Sequence, residues 1–160
     1  MASGDFTILE QNSSMGRGGR LYNIVAGSTI LAGEPVARAL GGTTVTAAAT
    51  SAGVVGTDFI VGIATNNSTA TASVAGTVGV MPVNNGITYL VAPKTAASWD
   101  TQAEYDALVG KRITIDLTTG VYTVNATDNA SNGLVVQALD ISKYPGKVAV
   151  AFRTAVSDLA

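Results

Sequence analysis

Apolar residues fall in short runs along most of this chain, and Gly, Thr, Asn and Ser separate the runs. Runs of about four to eight residues between such turn formers are typical of β-strands. The clearest three are residues 35–40, 59–64 and 76–83. The first begins at Pro35, where the missing N–H of proline costs no ladder hydrogen bond. The pattern therefore predicts a mainly β protein.

The strongest turn signal is Asn85-Gly86, which lies between residues 78–83 and 87–91. Both residues tolerate the positive φ angles that a two-residue hairpin turn requires. The sequence therefore predicts that the two flanking strands pair with each other as a hairpin.

The last third of the chain contains two further turn signals. Thr118-Thr119-Gly120 predicts a second hairpin, and Tyr144-Pro145-Gly146 has Pro and Gly at the central positions of a type II turn. The strands that these turns join are predicted at residues 112–116, 121–124, 134–139 and 147–152.

One helix is predicted, at residues 101–109. Thr101 and Glu104 have the spacing of a capping box, and Gly110 stands where a left-handed C-terminal cap belongs. An apolar stripe with helical spacing is expected to pack on the sheet. The residues of this stripe are Tyr105, Leu108 and Val109.

Residues 1–20 are predicted to form a flexible N-terminal arm. Residues 11–20 are polar and Gly-rich, so they bury too little apolar surface to order themselves. Residues 6–9 are apolar enough to pair as a strand once a partner offers a sheet edge. A solvated linker and a nucleic-acid contact are the alternatives to a protein-docking arm. The candidate docking residues are Phe6, Ile8, Leu9, Arg17 and Arg20.

The predicted fold is all-β, mainly strands with one short helix, in a small β-barrel or β-sandwich with an extended N-terminal arm. A chain of 160 residues fits one domain and is long enough to bury a real core. We expect a single β domain over residues 21–160, with residues 21–94 and 110–154 as its candidate sub-blocks.

Charged residues are scarce. They make up 12% of the chain, against about 25% in an average soluble domain, while hydrophobic residues make up 47%. The surface must therefore consist largely of Thr, Ser, Asn, Gly and Ala. Interface cores exclude charged side chains, so this composition favours a protein that packs against neighbours. An ordinary low-charge β domain is the alternative.

The residues that most catalytic and metal sites need are absent. Without His or Cys the chain has no Ser-His-Asp or Cys-His arrangement, no disulfide and no ordinary zinc site. The grouped carboxylates Asp100, Glu104 and Asp106 lie on the predicted helix, where capping is the expected role. Trp99 is interpreted as a core or staple residue, with sugar stacking as the alternative. We therefore predict no enzyme activity, no cofactor and no metal.

Charge and hydropathy argue against two further classes of partner. The net charge is −2 and no basic run extends beyond Lys111-Arg112, so nucleic-acid binding is not expected. No window of about 18 apolar residues predicts a membrane span, and the N-terminus shows no signal-peptide pattern.

An ordered set of motifs gives the chain a family resemblance. Gly33-Glu34-Pro35-Val36 is followed by Phe59-Ile60-Val61-Gly62-Ile63-Ala64 and then by Gly76-Thr77-Val78-Gly79-Val80. In this order the motifs resemble the small head-decoration (cement) proteins of tailed bacteriophages, and the resemblance is confined to residues 31–94. It implies a structural protein that binds the outer surface of an expanded capsid across subunit seams and stabilises it.

The resemblance also implies partners and a location. The partner would be the major capsid protein, and the protein would be a homo-oligomer, with a trimer favoured and a dimer as the alternative. It would be made in the host cytoplasm and end on the outer capsid surface of the virion. The alternatives are a phage tail or head-fibre subunit, a host-surface binding module, and a small hydrolase or sugar-binding module. Exposed aromatic side chains clustered on loops would favour receptor binding over cement.

Overall fold

The computed structural model describes residues 6–11, 19–83, 86–153 and 156, and for residues 7–11 it describes the backbone alone. The described chain is mostly β and its sheets are antiparallel, which confirms the predicted fold class. It forms a sandwich-like structure without a closed barrel. In chain order the strands are β1 (Thr7–Gln11), β2 (Arg20–Asn23), β3 (Thr29–Ile30), β4 (Pro35–Ala39), β5 (Thr46–Ala47), β6 (Asp58–Ala64), β7 (Ser68–Thr69), β8 (Thr77–Pro82), β9 (Ile87–Val91), β10 (Arg112–Thr118), β11 (Val121–Asn125), β12 (Leu134–Val136) and β13 (Val148–Phe152).

Two large sheets and one small sheet contain these strands. The five-stranded sheet has the order β2-β8-β6-β4-β5, and the six-stranded sheet has the order β1-β9-β13-β12-β10-β11. The small sheet pairs β3 with β7. Between β9 and β10 lie a 3-10 turn, η1 (Ala96–Ser98), and the helix α1 (Gln102–Asp106).

The five-stranded sheet is buried on both faces. One face contributes Ile60 and Ile63 to a large cluster shared with the six-stranded sheet. The other face contributes Val61 and Ala64 to an aliphatic cluster that also contains Ile30 of the small sheet. Strict alternation would put residues 60 and 63 on opposite faces. The pairing of β4 with β6 shifts by one residue at this point, which forms a β-bulge. Because of this bulge, Ile60 and Ile63 both reach one cluster, while Val61 and Ala64 both reach the other.

The structure contradicts the predicted hairpin across Asn85-Gly86. Strand β8 pairs with β2 and β6, whereas β9 pairs with β1 and β13 in the other sheet. The chain therefore crosses between sheets here, and Asn85 itself lies outside the described residues. The crossing also overturns the candidate sub-block 21–94, because β9 belongs to the sheet that holds the last four strands.

The two turns predicted for the last third of the chain are confirmed, but the strand predicted at residues 134–139 ends at Val136. The turn at Thr119-Gly120 has positive φ at both residues, 53° and 76°, as a two-residue hairpin between β10 and β11 requires. At the other turn, Gly146 has φ of 68° and the N–H of Lys147 donates to the carbonyl of Tyr144 at 3.2 Å. This turn joins the β12 region to β13, and those two strands pair.

The helix begins as predicted. The Glu104 N–H donates to the Thr101 hydroxyl at 3.3 Å, and the Thr101 N–H donates to the Glu104 carboxylate at 3.2 Å, which completes the capping box. Gly110 has φ of +83°. The helix is shorter than predicted, and Val109 is exposed, so the apolar stripe consists of Tyr105 and Leu108 only.

The predicted N-terminal arm is wrong for residues 6–11. Phe6 is buried, and its ring lies 5.8 Å from that of Phe152 and 6.2 Å from that of Tyr89. The backbone of Thr7–Gln11 then pairs with β9 as an edge strand of the six-stranded sheet. An aromatic ring buried in this cluster stabilises the segment inside the domain, without any external partner.

Candidate docking surface

The described residues contain no cluster of side chains that could hold a metal ion. No helix in the same ranges is long and apolar enough to cross a membrane. Among the grouped carboxylates, Glu104 caps α1 through its hydrogen bonds with Thr101, and these bonds lower its pKa. Asp100 precedes the helix, and its hydrogen bond with Glu104 raises its pKa.

The sheet edges differ in how well they are covered. An uncovered edge presents main-chain N–H and C=O groups on which a strand of another chain can pair. Strand β11 forms one end of the six-stranded sheet, but its outer side is already paired. Val124 donates to the carbonyl of Ala92 at 3.0 Å and accepts from the N–H of Lys94 at 2.8 Å. This edge is therefore covered at Val124.

The five-stranded sheet curls so that its two ends approach each other. Directly before β5, the N–H of Val45 donates to the carbonyl of Asn23 at 2.9 Å, and the N–H of Val25 donates to the carbonyl of Val45 at 2.9 Å. These bonds close the sheet beside the C-terminal end of β2. These hydrogen bonds do not extend to the N-terminal end of β2.

Leu21 lies at the part of β2 that remains open. Its side chain is 79% exposed, the largest exposure among the big hydrophobic residues described. Across the strand pair it faces Gly79, which has no side chain to pack against it. Alternate residues of a strand direct their main-chain groups to opposite sides. Since Asn23 bonds outwards to Val45, the N–H and C=O of Leu21 also point away from β8.

Other exposed apolar residues lie on loops. Leu40 and Val74 are 59% and 63% exposed. Leu40 follows β4 and its N–H donates to the carbonyl of Thr57 at 3.4 Å. A shallow groove with small side chains lies beside this turn and is bordered by residues that include Ala39, Ala49 and Thr57. A row of small residues is not in itself a site, so β2 remains the better candidate.

One of the two buried carboxylates among the described residues, that of Asp116, lies on the six-stranded sheet. The Lys94 ammonium donates to the carboxylate of Asp116 at 2.7 Å, and the Thr118 hydroxyl donates to the same carboxylate. Burial by itself raises the pKa of Asp116, but these two hydrogen bonds and the charge of Lys94 lower it below its ordinary value. The carboxylate is satisfied locally, and its role is structural.

The structure places the predicted docking residues in different surroundings. Phe6 is buried, and Ile8 and Leu9 belong to β1, whose backbone pairs with β9. Arg17 lies outside the described residues. Arg20 is exposed in β2, beside Leu21, so among the predicted residues that the structure describes it is the one at the open edge. Leu21 was missed, because exposure depends on the residue across the sheet.

Two glycines of the three sequence motifs lie where a side chain would collide with neighbouring atoms. A Cβ added to Gly62 would lie 2.2 Å from the carbonyl oxygen of Met81 and 2.3 Å from a methyl carbon of Val80. A Cβ at Gly79 would lie 2.6 Å from the hydroxyl oxygen of Thr65, and the Gly79 N–H donates to the Asn66 amide oxygen at 2.7 Å. At Gly62 the strands therefore approach so closely that only glycine fits, whereas at Gly79 a side chain would displace those of Thr65 and Asn66.

Comparison with known proteins adds no relative. No protein-family model matches the chain, and no curated protein matches it.

Proposed function

We propose that this protein is a head-decoration protein of a tailed bacteriophage, which binds the outside of the expanded capsid across subunit seams and stabilises it. The observation that carries the proposal is the position of the three motifs. They lie on β4, β6 and β8, or directly before them, and these strands are neighbours in the five-stranded sheet. This supports treating the motifs as one structural unit, although they are far apart in the sequence.

The surface of the same sheet supports a docking role. Its strand β2 combines an exposed leucine with main-chain groups that have no strand beside them in the described part of the chain. An extended segment of a capsid subunit that pairs there would gain main-chain hydrogen bonds without needing particular side chains. The scarcity of charge keeps the cost of desolvating such an interface low.

The mechanism follows from repetition over the capsid. A standard interface buries about 800 Å² per partner. A copy that contacts two capsid subunits at once must lose one of these contacts before the subunits can separate. Many identical copies, held by the symmetry of the expanded shell, then resist the separation of its subunits together. The major capsid protein is the proposed partner, and a trimer is the proposed oligomer.

The aromatic residues favour this role over a receptor-binding module. All nine aromatic side chains are among the described residues, and none of them is exposed. Receptor-binding loops usually present aromatic side chains to their ligand. A tail or head-fibre subunit is the second candidate.

The test is sedimentation with phage heads. The purified protein is mixed with expanded empty heads, and separately with unexpanded heads, of the phage that encodes it. We expect the protein to pellet with the expanded heads only. Leu21→Lys should lower the apparent affinity about tenfold, a change of about 1.4 kcal/mol. The matched control is Val74→Lys, which changes a loop residue that is also largely exposed. Absence from the expanded pellet, or equal pelleting with both kinds of head, would overturn the proposal.

A further inference from the structure

Arg20 is an isolated charge at the open edge of β2. Its side chain is exposed, and it is the only charged residue in the neighbouring strands β2, β3, β7 and β8. None of the ion pairs between described residues includes it. In the free protein its guanidinium is therefore stabilised by water and not by a carboxylate of the described chain.

The hydrogen bonds of Gly79 define the direction of the main chain beside Arg20. The Gly79 carbonyl accepts from the N–H of Thr65 at 2.8 Å, and the Gly79 N–H donates to the Asn66 side chain at 2.7 Å. Both groups therefore point towards the end of β6 and away from β2. Leu21, which faces Gly79, consequently keeps its own N–H and C=O for a strand on its open side.

A strand paired on that side would meet Arg20 and Leu21 in a fixed order. The two side chains lie on opposite faces, because they are adjacent residues of one strand. All pairings within the five-stranded sheet are antiparallel. In a further antiparallel pairing Leu21 would form a hydrogen-bonded pair, and Arg20 would form the next, non-hydrogen-bonded pair, in which side chains lie closer together.

Such docking would take water away from the guanidinium of Arg20. A charge that loses its water has to be paired, and the described residues provide no carboxylate for it. A carboxylate from the partner suits the guanidinium best, because its two oxygens accept two parallel N–H groups. A second copy paired symmetrically through β2 would not bring one, since Arg20–Asn23 contains no acidic residue.

We propose that the capsid segment that pairs with β2 carries an aspartate or glutamate opposite Arg20 and an apolar residue directly beside it, opposite Leu21, an inference that rests on the proposed function. The carboxylate and the apolar side chain then lie on opposite faces of the added strand. The acidic residue sets the register of the segment, because a shift by one residue would place it opposite Leu21.

Charge reversal at Arg20 tests this pairing in the sedimentation assay with expanded heads. Arg20→Glu should lower the apparent affinity about tenfold or more, because it places like charges opposite each other. Arg20→Gln should lower it less, by about threefold, and its binding should depend less on salt than that of the parent. The matched control is Lys147→Glu, which makes the same change in net charge at an exposed position before β13 and should bind like the parent. All three variants should melt like the parent.

The outcomes separate this inference from the proposed function. A parent protein that does not pellet with expanded heads overturns both. A parent that pellets, together with equal binding of Arg20→Glu and Lys147→Glu, overturns the acidic segment alone. So does an oligomer that, without heads, dissociates in Arg20→Glu and persists in Lys147→Glu, because the edge would then bind a second copy of this chain.

Discussion

The two large sheets of this domain pack by different means. The five-stranded sheet packs one face on an aliphatic cluster that contains Val36, Val61 and Val80, and its strands β6 and β8 approach closely at Gly62. The six-stranded sheet instead packs aromatic rings, with Phe6, Tyr89 and Phe152 in mutual contact. Their edges also differ, since β11 is covered by residues 92–94 while β2 is open beside Leu21. Under the proposed function, the six-stranded sheet stabilises the domain and the open edge of the five-stranded sheet meets the capsid.

The largest expected effect comes from the close strand approach in the five-stranded sheet. Gly62→Ala places a Cβ 2.2 Å from a main-chain oxygen, which no side-chain rotation relieves. We expect a loss of about 4 kcal/mol or more in the free energy of unfolding, measured by urea denaturation. Gly19→Ala is the control, because its Cβ would have no atom nearer than 3.9 Å. A parent-like midpoint for Gly62→Ala would show that the strands do not approach as described.

The next effect concerns the aromatic cluster of the six-stranded sheet. Phe6→Ala removes a buried ring from contact with Tyr89 and Phe152, so we expect a loss of about 3 kcal/mol. Leu40→Ala truncates an exposed residue and should cost less than about 0.5 kcal/mol. If Phe6→Ala unfolds at the same urea concentration as the parent, the segment is the free arm that the sequence predicts.

Two buried tyrosines of the same core, one with a hydrogen-bonded hydroxyl and one without, allow the contribution of the hydrogen bond to be measured apart from that of packing. The Tyr122 hydroxyl donates to the carbonyl of Ala48 at 2.7 Å, whereas the Tyr89 hydroxyl is buried without a partner in the described residues. Burial raises the pKa of both hydroxyls, so both stay neutral at ordinary pH. Tyr122→Phe should cost about 1–3 kcal/mol, because it leaves the Ala48 carbonyl unpaired.

Tyr89→Phe is the matched variant of that pair. It removes a hydroxyl that makes no hydrogen bond, so thermal unfolding should show a change of less than about 0.5 kcal/mol or a slight gain. Equal losses in the two variants would mean that the Tyr89 hydroxyl has an acceptor after all.

A smaller effect, dependent on pH, is expected at Lys94 and Asp116. The folded protein holds the pKa of Asp116 below its ordinary value of 3.8, so the ionised carboxylate stabilises the fold above that pH. Asp116→Asn should cost about 1–2 kcal/mol at neutral pH. The difference from the parent should shrink as the pH falls below 3.8 and through the lowered pKa. A difference that is constant over this range, or that grows in acid, would contradict the ion pair.

The sequence predicted local features well because a few adjacent residues determine them. The turns at Thr119-Gly120 and Tyr144-Pro145-Gly146, and the capping box at Thr101, depend on backbone preferences that any tertiary context retains. The pairing of β9 depends instead on burial between β1 and β13, residues far away in the chain. The local signal of Asn85-Gly86 carries no information about those partners.

The candidate site was harder to predict for the same reason. The Gly-rich residues after Gln11 predict an arm, but Phe6 is held by rings more than 80 positions away along the chain. The exposure of Leu21 depends on Gly79 in the neighbouring strand. In the sequence, Leu21 resembles any other apolar strand residue.

The central claim is that the open edge of β2 receives the partner, and hydrogen–deuterium exchange on free and head-bound protein tests it most directly. The outward-pointing N–H of Leu21 should exchange quickly in the free protein and become protected on expanded heads. Amides of Val121–Asn125, at the covered edge of the other sheet, should exchange at the same rate in both states. Protection at β11 without protection at β2 would contradict the account, as would unchanged exchange at Leu21 in protein that pellets with the heads.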